Sequence, residues 1–369
     1  MQNDKNRPET AQIFAYERKE NSAVIWRCFS HDTKAVIPSE LDGYPVTEIA
    51  AYAFSAHMDQ KTLEKEIESG HIQFYVPEAF REISVEKTEA EEIRQMSGSE
   101  TLAQMGNVLC GDILEEIVIP ASVQRVGRYC FYNCSKLRSL EFWSTLADWG
   151  SGVFTGSHKI RQMYVHAVPG QPSSLKQVLD EIYEELYTTY QIEAGAGTER
   201  GNRETKATEI AHLVFPEYYV EGVENTPARI LEEHIHGTGM KYRNCFKGKE
   251  FDFRQYDSLF PHAIVQEPEN VVGKLAVGRL RCPYQLSHEA KEQYLVYVQA
   301  HAARIAEWIL KEQDMEAFRW LLTVVTKSEE LFSEMTELAA KLQNAEAISL
   351  LMEASKSGQS KIRKRRMEL

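Results

Sequence analysis

Two histidines, spaced two residues apart, are the strongest candidates for metal chemistry in the sequence. His234 and His236 flank a single isoleucine. Alternate residues of a β-strand point to the same side, so both imidazoles could ligate one ion. Beyond the distant Cys245, however, no cysteine or carboxylate stands at ligand spacing. We therefore expect no metal and no other cofactor, and we expect two partly exposed histidines at a helix end.

The cysteines are the next candidates, because paired thiols bind metals or form disulfides. The chain has six of them and no Cys-x-x-Cys pair, a share far too low for a disulfide scaffold. Cys130 and Cys134 lie four residues apart, where small thiols pack well in a core. We predict buried, reduced cysteines. The complete set is Cys28, Cys110, Cys130, Cys134, Cys245 and Cys282.

Recognisable catalytic motifs are missing from the sequence. It contains no Gly-x-Ser-x-Gly elbow, no phosphate-binding Gly-x-x-x-x-Gly-Lys loop and no His-Glu-x-x-His helix. Gly195, Gly197 and Gly201 nearly match a dinucleotide loop, but the last interval is one residue too long and no apolar strand precedes them. We interpret residues 195–203 as a linker and name no catalytic residue, although triads can assemble from scattered residues.

Charge and hydropathy exclude several classes of protein. The 369 residues include 42 basic and 55 acidic side chains, and the net charge of −13 argues against nucleic acid as a ligand. No apolar run is long enough to cross a membrane, and the polar N-terminus lacks the apolar core of a signal peptide. We expect a cytoplasmic protein. The basic cluster at residues 361–366 is interpreted as a frayed terminus rather than a phosphate-binding tail.

A repeat of 23 residues organises the first half of the chain. Residues 114–137 comprise a short apolar strand, Pro120, a turn and two aromatic residues, Tyr129 and Phe131, which we expect to fill the interior of one β-solenoid coil. A shift of 23 residues superposes residues of the same kind. The matched pairs are Ile117 with Leu140, Ile119 with Phe142, Gly127 with Gly150, and Phe131 with Phe154.

A second copy of this motif lies at residues 35–54, lengthened by a turn at residues 42–45. Its Ile37-Pro38 strand end, the following Asp-Gly-Tyr-Pro-Val-Thr-Glu-Ile and the Tyr-Ala-Phe ending at Phe54 resemble the BspA-type leucine-rich repeat, as does the Asn-Cys-Ser-Lys-Leu at residues 133–137. The resemblance implies a modular β-solenoid and no known activity. Many proteins of this family are bacterial and exported.

After residue 170 the pattern becomes helical. We predict a helix over residues 174–190 that covers the open end of the solenoid, and helices at about 208–218 and 227–233. Four helices follow, at about 287–311, 314–325, 328–342 and 344–355. Advancing by 30 residues maps Asp314 onto Asn344 and Phe318 onto Ile348, so helix pairs repeat as well. Residues 337–351 are similar to an ankyrin-type helix pair without its Thr-Pro-Leu-His start.

These patterns predict an α+β protein, a short irregular leucine-rich-repeat solenoid followed by an all-α helical-repeat domain. The solenoid takes residues 1–170, with an N-terminal hairpin cap and an insertion near 56–107. A helical cap and a connecting region take 171–286, the ankyrin-like pairs 287–357 and the basic tail 358–369.

We interpret the protein as a non-catalytic module that binds another protein, with no nucleic acid and no membrane involved and with an oligomeric state that the sequence leaves open. Residues between the apolar positions of each strand point outward. They predict two rows of partner-binding side chains, with Trp143 and His166 at the edge. The rows are Glu116, Ser139 and Gln162, and Val118, Glu141 and Tyr164. The alternatives are an enzyme or metal-binding protein that uses residues 205–286, and a cell-surface or structural repeat protein.

Overall fold

The computed structural model describes residues 12–77, 107–171, 173–193, 209–225, 230–326 and 328–355. The predicted linker at 195–203, the basic tail and most of the predicted insertion lie outside these residues. The chain divides into two compact units. The first comprises residues 1–210 and 215–252, and the second comprises 211–214 and 253–369.

The first unit consists mainly of short strands. The strands in its solenoid are β1 (Ile13–Arg18), β2 (Ala23–Phe29), β3 (Lys34–Val36), β4 (Glu40–Leu41), β5 (Tyr44–Ile49), β6 (Ile72–Tyr75), β7 (Glu116–Val118), β8 (Arg125–Val126), β9 (Ser139–Trp143), β10 (Asp148–Trp149), β11 (Gln162–Ala167) and β12 (Leu186–Ile192). The helices among them are α1 (Gln60–Glu68) and α2 (Leu175–Glu181).

Successive coils place their strands in two parallel sheets. In one sheet β12, β11, β9, β7 and β3 lie side by side, all parallel. In the other, β10, β8, β5 and β2 are parallel neighbours. Strand β9 shows the reason for the geometry: its inward residues Leu140 and Phe142 are fully buried, while the alternate residues stay partly exposed.

An antiparallel hairpin closes the N-terminal end of the second sheet. Strand β1 pairs with β2 on one side and with β6 on the other. Helix α1, capped by Asp59, covers this end with Leu63. The buried cluster shared by these elements contains Ile13, Ala15, Phe29, Leu63, Ile72, Phe74 and Val76. A capped first coil keeps its apolar edge out of water, which is the usual requirement of a solenoid.

Equivalent aromatic rings of successive coils stack on one another. The ring of Phe131 lies between Phe54 and Phe154, with centroid distances of 5.5 and 5.6 Å. The expectation that Tyr129 also fills the interior is wrong. Its ring is half-buried and stacks on Tyr52 at 5.4 Å, because the backbone at Tyr129 has a positive φ of 54° that turns the side chain off the inward face.

The glycines matched by the 23-residue repeat mark a close approach between coils. A Cβ atom at Gly150 would lie 2.3 Å from the backbone nitrogen of Arg128, and one at Gly127 would lie 2.4 Å from that of Ala51. Any larger residue would therefore push neighbouring coils apart.

The parallel sheet continues beyond residue 170, and the predicted helix over residues 174–190 is wrong in its second half. Helix α2 ends at Glu181, and strand β12 pairs with β11 from Tyr187 onward. Leu186 fits the helical spacing of the apolar residues before it, but its inward side chain belongs to the strand. The buried Arg243 fixes this change of direction, because its guanidinium donates to the carbonyl oxygens of Ile182 and Glu184.

Strands replace two further predicted helices. Residues 209–215 form β13 (Glu209–Phe215), and β14 (Tyr219–Asn225) pairs antiparallel with β15 (Ile230–His236). The remaining elements of the first unit are α3 (Gly239–Arg243), β16 (Phe246–Lys247) and β17 (Glu250–Phe251). The helical periods that we inferred here rested on few apolar residues, and tertiary pairing overrides so weak a preference.

The second unit is helical. Its helices are α4 (Phe253–Ser258), α5 (Phe260–Gln266), α6 (Glu269–Arg281), α7 (His288–Ala300), α8 (Ala302–Lys311), α9 (Met315–Val324) and α10 (Glu329–Lys341), followed by helical residues 345–355. The single helix predicted over 287–311 is in fact two, since His301 at φ −113° and ψ 22° leaves the helical conformation. No glycine or proline marks that break in the sequence.

The 30-residue spacing reappears in the helix starts. The side chain of Asp314 accepts from the Ala317 backbone N–H, and that of Asn344 accepts in the same way from Ala347. The residues before them, Gln313 and Gln343, both have positive φ, at 59° and 55°. A parallel-strand solenoid followed by a helical region confirms the predicted α+β fold class. Among the described helices, none combines the length and the hydropathy that crossing a membrane requires.

Candidate protein-binding groove

Outward side chains of β3, β7, β9, β11 and β12 line an open groove of about 780 Å³ on the first unit. The strands of one parallel sheet form its floor, so side chains of equal register stand in rows across it. We call this surface the groove. Its lining residues are Lys34, Glu116, Ile117, Val118, Arg138, Ser139, Glu141, Trp143, Gln162, Tyr164, Val165, His166, Thr189, Gln191 and Glu193.

All six residues that the sequence indicated for partner binding line this groove. The register pairs Glu116 with Ser139 and Ser139 with Gln162, which is the first row. It pairs Val118 with Glu141 and Glu141 with Tyr164, which is the second. The structure brings these residues together, and their role in binding stays a prediction.

Sequence reasoning missed the two outer strands of the groove. Strand β12 contributes Thr189 and Gln191, which pair with Tyr164 and His166, and Glu193 follows the strand. On the other side β3 contributes Lys34, which pairs with Glu116. The alternation in Leu-Tyr-Thr-Thr-Tyr-Gln-Ile, rich in β-branched and aromatic residues, was the available signal for β12.

A histidine held between two carboxylates crosses one end of the groove. The Nε2 atom of His166 lies 2.9 Å from Glu141, and its Nδ1 atom lies 2.9 Å from Glu193. We call these three residues the carboxylate–histidine bridge. Burial disfavours the charged imidazole, but the hydrogen bonds and charges of Glu141 and Glu193 outweigh it, so the pKa of His166 is raised. The Trp143 ring stacks on the imidazole at 4.6 Å.

Basic side chains surround the carboxylate at the opposite end. The ammonium of Lys34 lies 3.8 Å from Glu116, and the guanidinium of Arg138 lies 3.2 Å from Glu116 and 3.0 Å from Glu115. These cations offset the acidic residues next to them. The negative charge of the groove is therefore concentrated at the carboxylate–histidine bridge.

Tyr164 stands in the middle of the groove with 40% of its surface exposed. Burial raises the pKa of its hydroxyl, and the charges of Glu141 and Glu116 raise it further. The phenol is consequently neutral at physiological pH and can both donate and accept a hydrogen bond. Exposed tyrosines of this kind are enriched where proteins bind one another.

The two candidate metal-binding histidines lie on a strand, β15, and not at a helix end as expected. His236 contacts Glu221 at 3.0 Å and stacks on Tyr219 at 4.5 Å, while His234 pairs in register with Glu221. Within the described residues, no group of three or more histidine, cysteine or carboxylate side chains has the geometry to hold a metal ion.

The cysteines present free thiols, most of them in the core. Cys28, Cys130, Cys134 and Cys245 are buried, and Cys110 and Cys282 are partly buried. Burial raises the pKa of the Cys134 thiol to about 12 and raises that of Cys130 well above its ordinary value. Thiols that stay protonated are poor nucleophiles and poor metal ligands.

Comparison with known proteins places one segment of the chain. Residues 106–217 match the family model described as BspA type leucine rich repeat region, in six copies. No curated protein matches the chain. Among solved structures, a T. pallidum leucine rich repeat protein, TpLRR, is 20% identical, with a TM-score of 0.17, over 42% of this chain and 73% of that one. With the stacked coils described above, the family match identifies residues 106–217 as a BspA-type leucine-rich-repeat region.

Proposed function

We propose that this protein is a non-catalytic interaction module that binds another protein in the groove over β3, β7, β9, β11 and β12. One observation carries the proposal. Five strands in continuous register present a row of polar side chains and the half-exposed Tyr164 in an open groove of about 780 Å³. Repeat scaffolds ordinarily bind through such an extended surface rather than through a catalytic pocket.

The composition of the groove fits a protein partner. Aromatic side chains, Tyr164 and Trp143, stand among hydrogen-bonding groups such as Ser139, Gln162 and Thr189. Aromatic anchors surrounded by a polar rim are typical of interfaces between proteins. The groove is too open to enclose a small substrate, and its side chains can contact an extended segment or a loop.

The test is affinity capture from an extract of the native cell with two groove variants. In the first variant Glu141→Arg is combined with Tyr164→Ala. In the second, Gln162→Arg replaces the charge reversal, because Gln162 is exposed and its change leaves the carboxylate–histidine bridge intact. We expect both variants to retain wild-type circular dichroism and to lose at least tenfold of the captured partner.

The matched control lies on the other parallel sheet. Asp148→Arg with Arg128→Ala makes the same kinds of change at exposed positions away from the groove. This control should capture as much partner as the wild type. Equal capture by all three folded variants would rule out the groove as the binding site.

A further inference from the structure

The carboxylate–histidine bridge imposes a protonation requirement on the groove. A neutral imidazole has one N–H, whereas both ring nitrogens of His166 face a carboxylate at 2.9 Å. Both contacts are attractive only when the ring is protonated and donates twice. Loss of the proton leaves a nitrogen lone pair against a carboxylate, so one of Glu141 and Glu193 then needs another cationic donor.

The charged groups facing His166 come from both neighbouring strands. Glu141 faces it from β9 and Glu193 faces it from the end of β12, while Gln191 donates to Glu193 at 2.9 Å. On its own strand the nearest ionisable neighbour in the groove is Tyr164, which is neutral. Two carboxylates and one imidazolium leave one excess negative charge, and deprotonation leaves two.

Cations of the groove do not cancel this excess, because they stand at its other end. Lys34 and Arg138 both contact Glu116, and Arg138 also contacts Glu115. Strand register separates Glu116 on β7 from the row containing His166 by about 13 Å, at about 3.3 Å per residue. That is more than one Debye length at physiological salt.

Aromatic rings complete the acidic end of the groove. Trp143 stacks on His166 at 4.6 Å, and Tyr164 lies two residues away on the same strand face. Aromatic faces beside carboxylates are a favourable environment for a guanidinium or ammonium group, which gains both ion pairing and cation–π contact. The chemistry of this end therefore fits a cationic side chain.

We propose that the acidic end of the groove receives an arginine or lysine side chain of an extended partner segment, in competition with the proton on His166. This proposal rests on the proposed function, since it names the chemistry of the partner for the same groove. The cationic side chain takes the place of the imidazolium proton as donor to Glu141 or Glu193.

Competition for one proton fixes the form of the pH dependence. Binding of a cation lowers the affinity of His166 for its proton, and protonation lowers the affinity for the cation by the same factor. The affinity therefore rises with pH by at most about tenfold per unit across the titration of His166 and is constant above it.

The experiment uses two short peptides and the full chain. One is acetyl-Gly-Ser-Arg-Ser-Gly-amide, and the other has the neutral, nearly isosteric citrulline in place of arginine. Imidazole resonances are followed by NMR as a function of pH at millimolar peptide, with His166→Gln identifying the resonance of interest among the 11 histidines. We expect the arginine peptide alone to lower the titration midpoint of His166 by several tenths of a unit.

The variant Glu193→Gln should remove most of this effect, because it removes one of the two competing carboxylates. Equal midpoints with the arginine peptide, the citrulline peptide and no peptide would overturn the inference. Loss of capture in the groove variants alongside such equal midpoints would leave the proposed function standing and reject only the cationic partner. Wild-type capture by those variants would reject the groove itself.

Discussion

His166 is the residue whose environment most constrains how the groove behaves. Its two ring nitrogens contact carboxylates on different strands, so a protonated imidazole links β9, β11 and the end of β12. Its pKa is raised because the carboxylates together outweigh the cost of burial. A group whose pKa is raised on folding stabilises the fold below its unfolded value of about 6.5, and that contribution is lost as the pH rises through the folded value.

We predict a pH-dependent stability difference between the wild type and Glu193→Gln. At pH 5.5 the variant should be less stable by about 1 kcal/mol, the usual scale of one charge-assisted hydrogen bond. The difference should shrink above the folded pKa of His166, where the neutral ring no longer donates to both carboxylates. Urea unfolding at pH 5.5 and pH 9 measures it.

Glu184→Gln is the matched control for that prediction. Its carboxylate also contacts a histidine at 2.9 Å, but the His158 side chain is largely exposed, so solvent screens the pair. The control should show a smaller difference at both pH values. A pH-independent loss in Glu193→Gln would show that the bridge does not hold a proton.

At the scale of elements, helix α2 does the work of a missing coil. Its side chains take the positions that backbone acceptors of a further strand would occupy beside β10. Gln177 accepts from the Trp149 backbone N–H, and Glu181 accepts from those of Gly152 and Phe154. The last coil thereby keeps its hydrogen bonds without another coil behind it.

Glu181→Ala should accordingly destabilise the first unit by about 2 to 3 kcal/mol, because two partly buried N–H groups lose a charged acceptor. Thermal unfolding followed by circular dichroism measures the change. Asp180→Ala, on the exposed side of the same helix, removes only an ion pair with Lys176 and should cost a few tenths of a kcal/mol. Similar losses in both variants would contradict the capping role of Glu181.

The same region shows where sequence reasoning succeeds and where it fails. The 23-residue shift predicted the rows of the groove because Leu140 and Phe142 repeat the buried positions of Ile117 and Ile119. It failed at β12, since the apolar residues of α2 and Leu186 share one helical spacing although α2 ends at Glu181. Periodicity does not reveal that end, which depends on the long-range hydrogen bonds of Arg243.

At the scale of the molecule, the chain combines two kinds of repeat. Coils of about 23 residues build the first unit, and the 30-residue spacing of Asp314 and Asn344 marks successive helix starts in the second. Both repeats were readable because each unit needs its neighbours to bury its apolar face. The hairpin of β14 and β15 was not readable, because its pairing follows no repeat.

The central claim is that a protein partner covers the groove. Hydroxyl-radical footprinting of the captured complex tests it directly, because oxidation of a tyrosine falls when a partner covers the ring. Tyr164 in the groove is 40% exposed, and Tyr219 on β14, at 59%, serves as the reference. The account predicts that oxidation of Tyr164 falls at least threefold in the complex while Tyr219 is unchanged. Unchanged oxidation of Tyr164 in a complex that remains bound would contradict it.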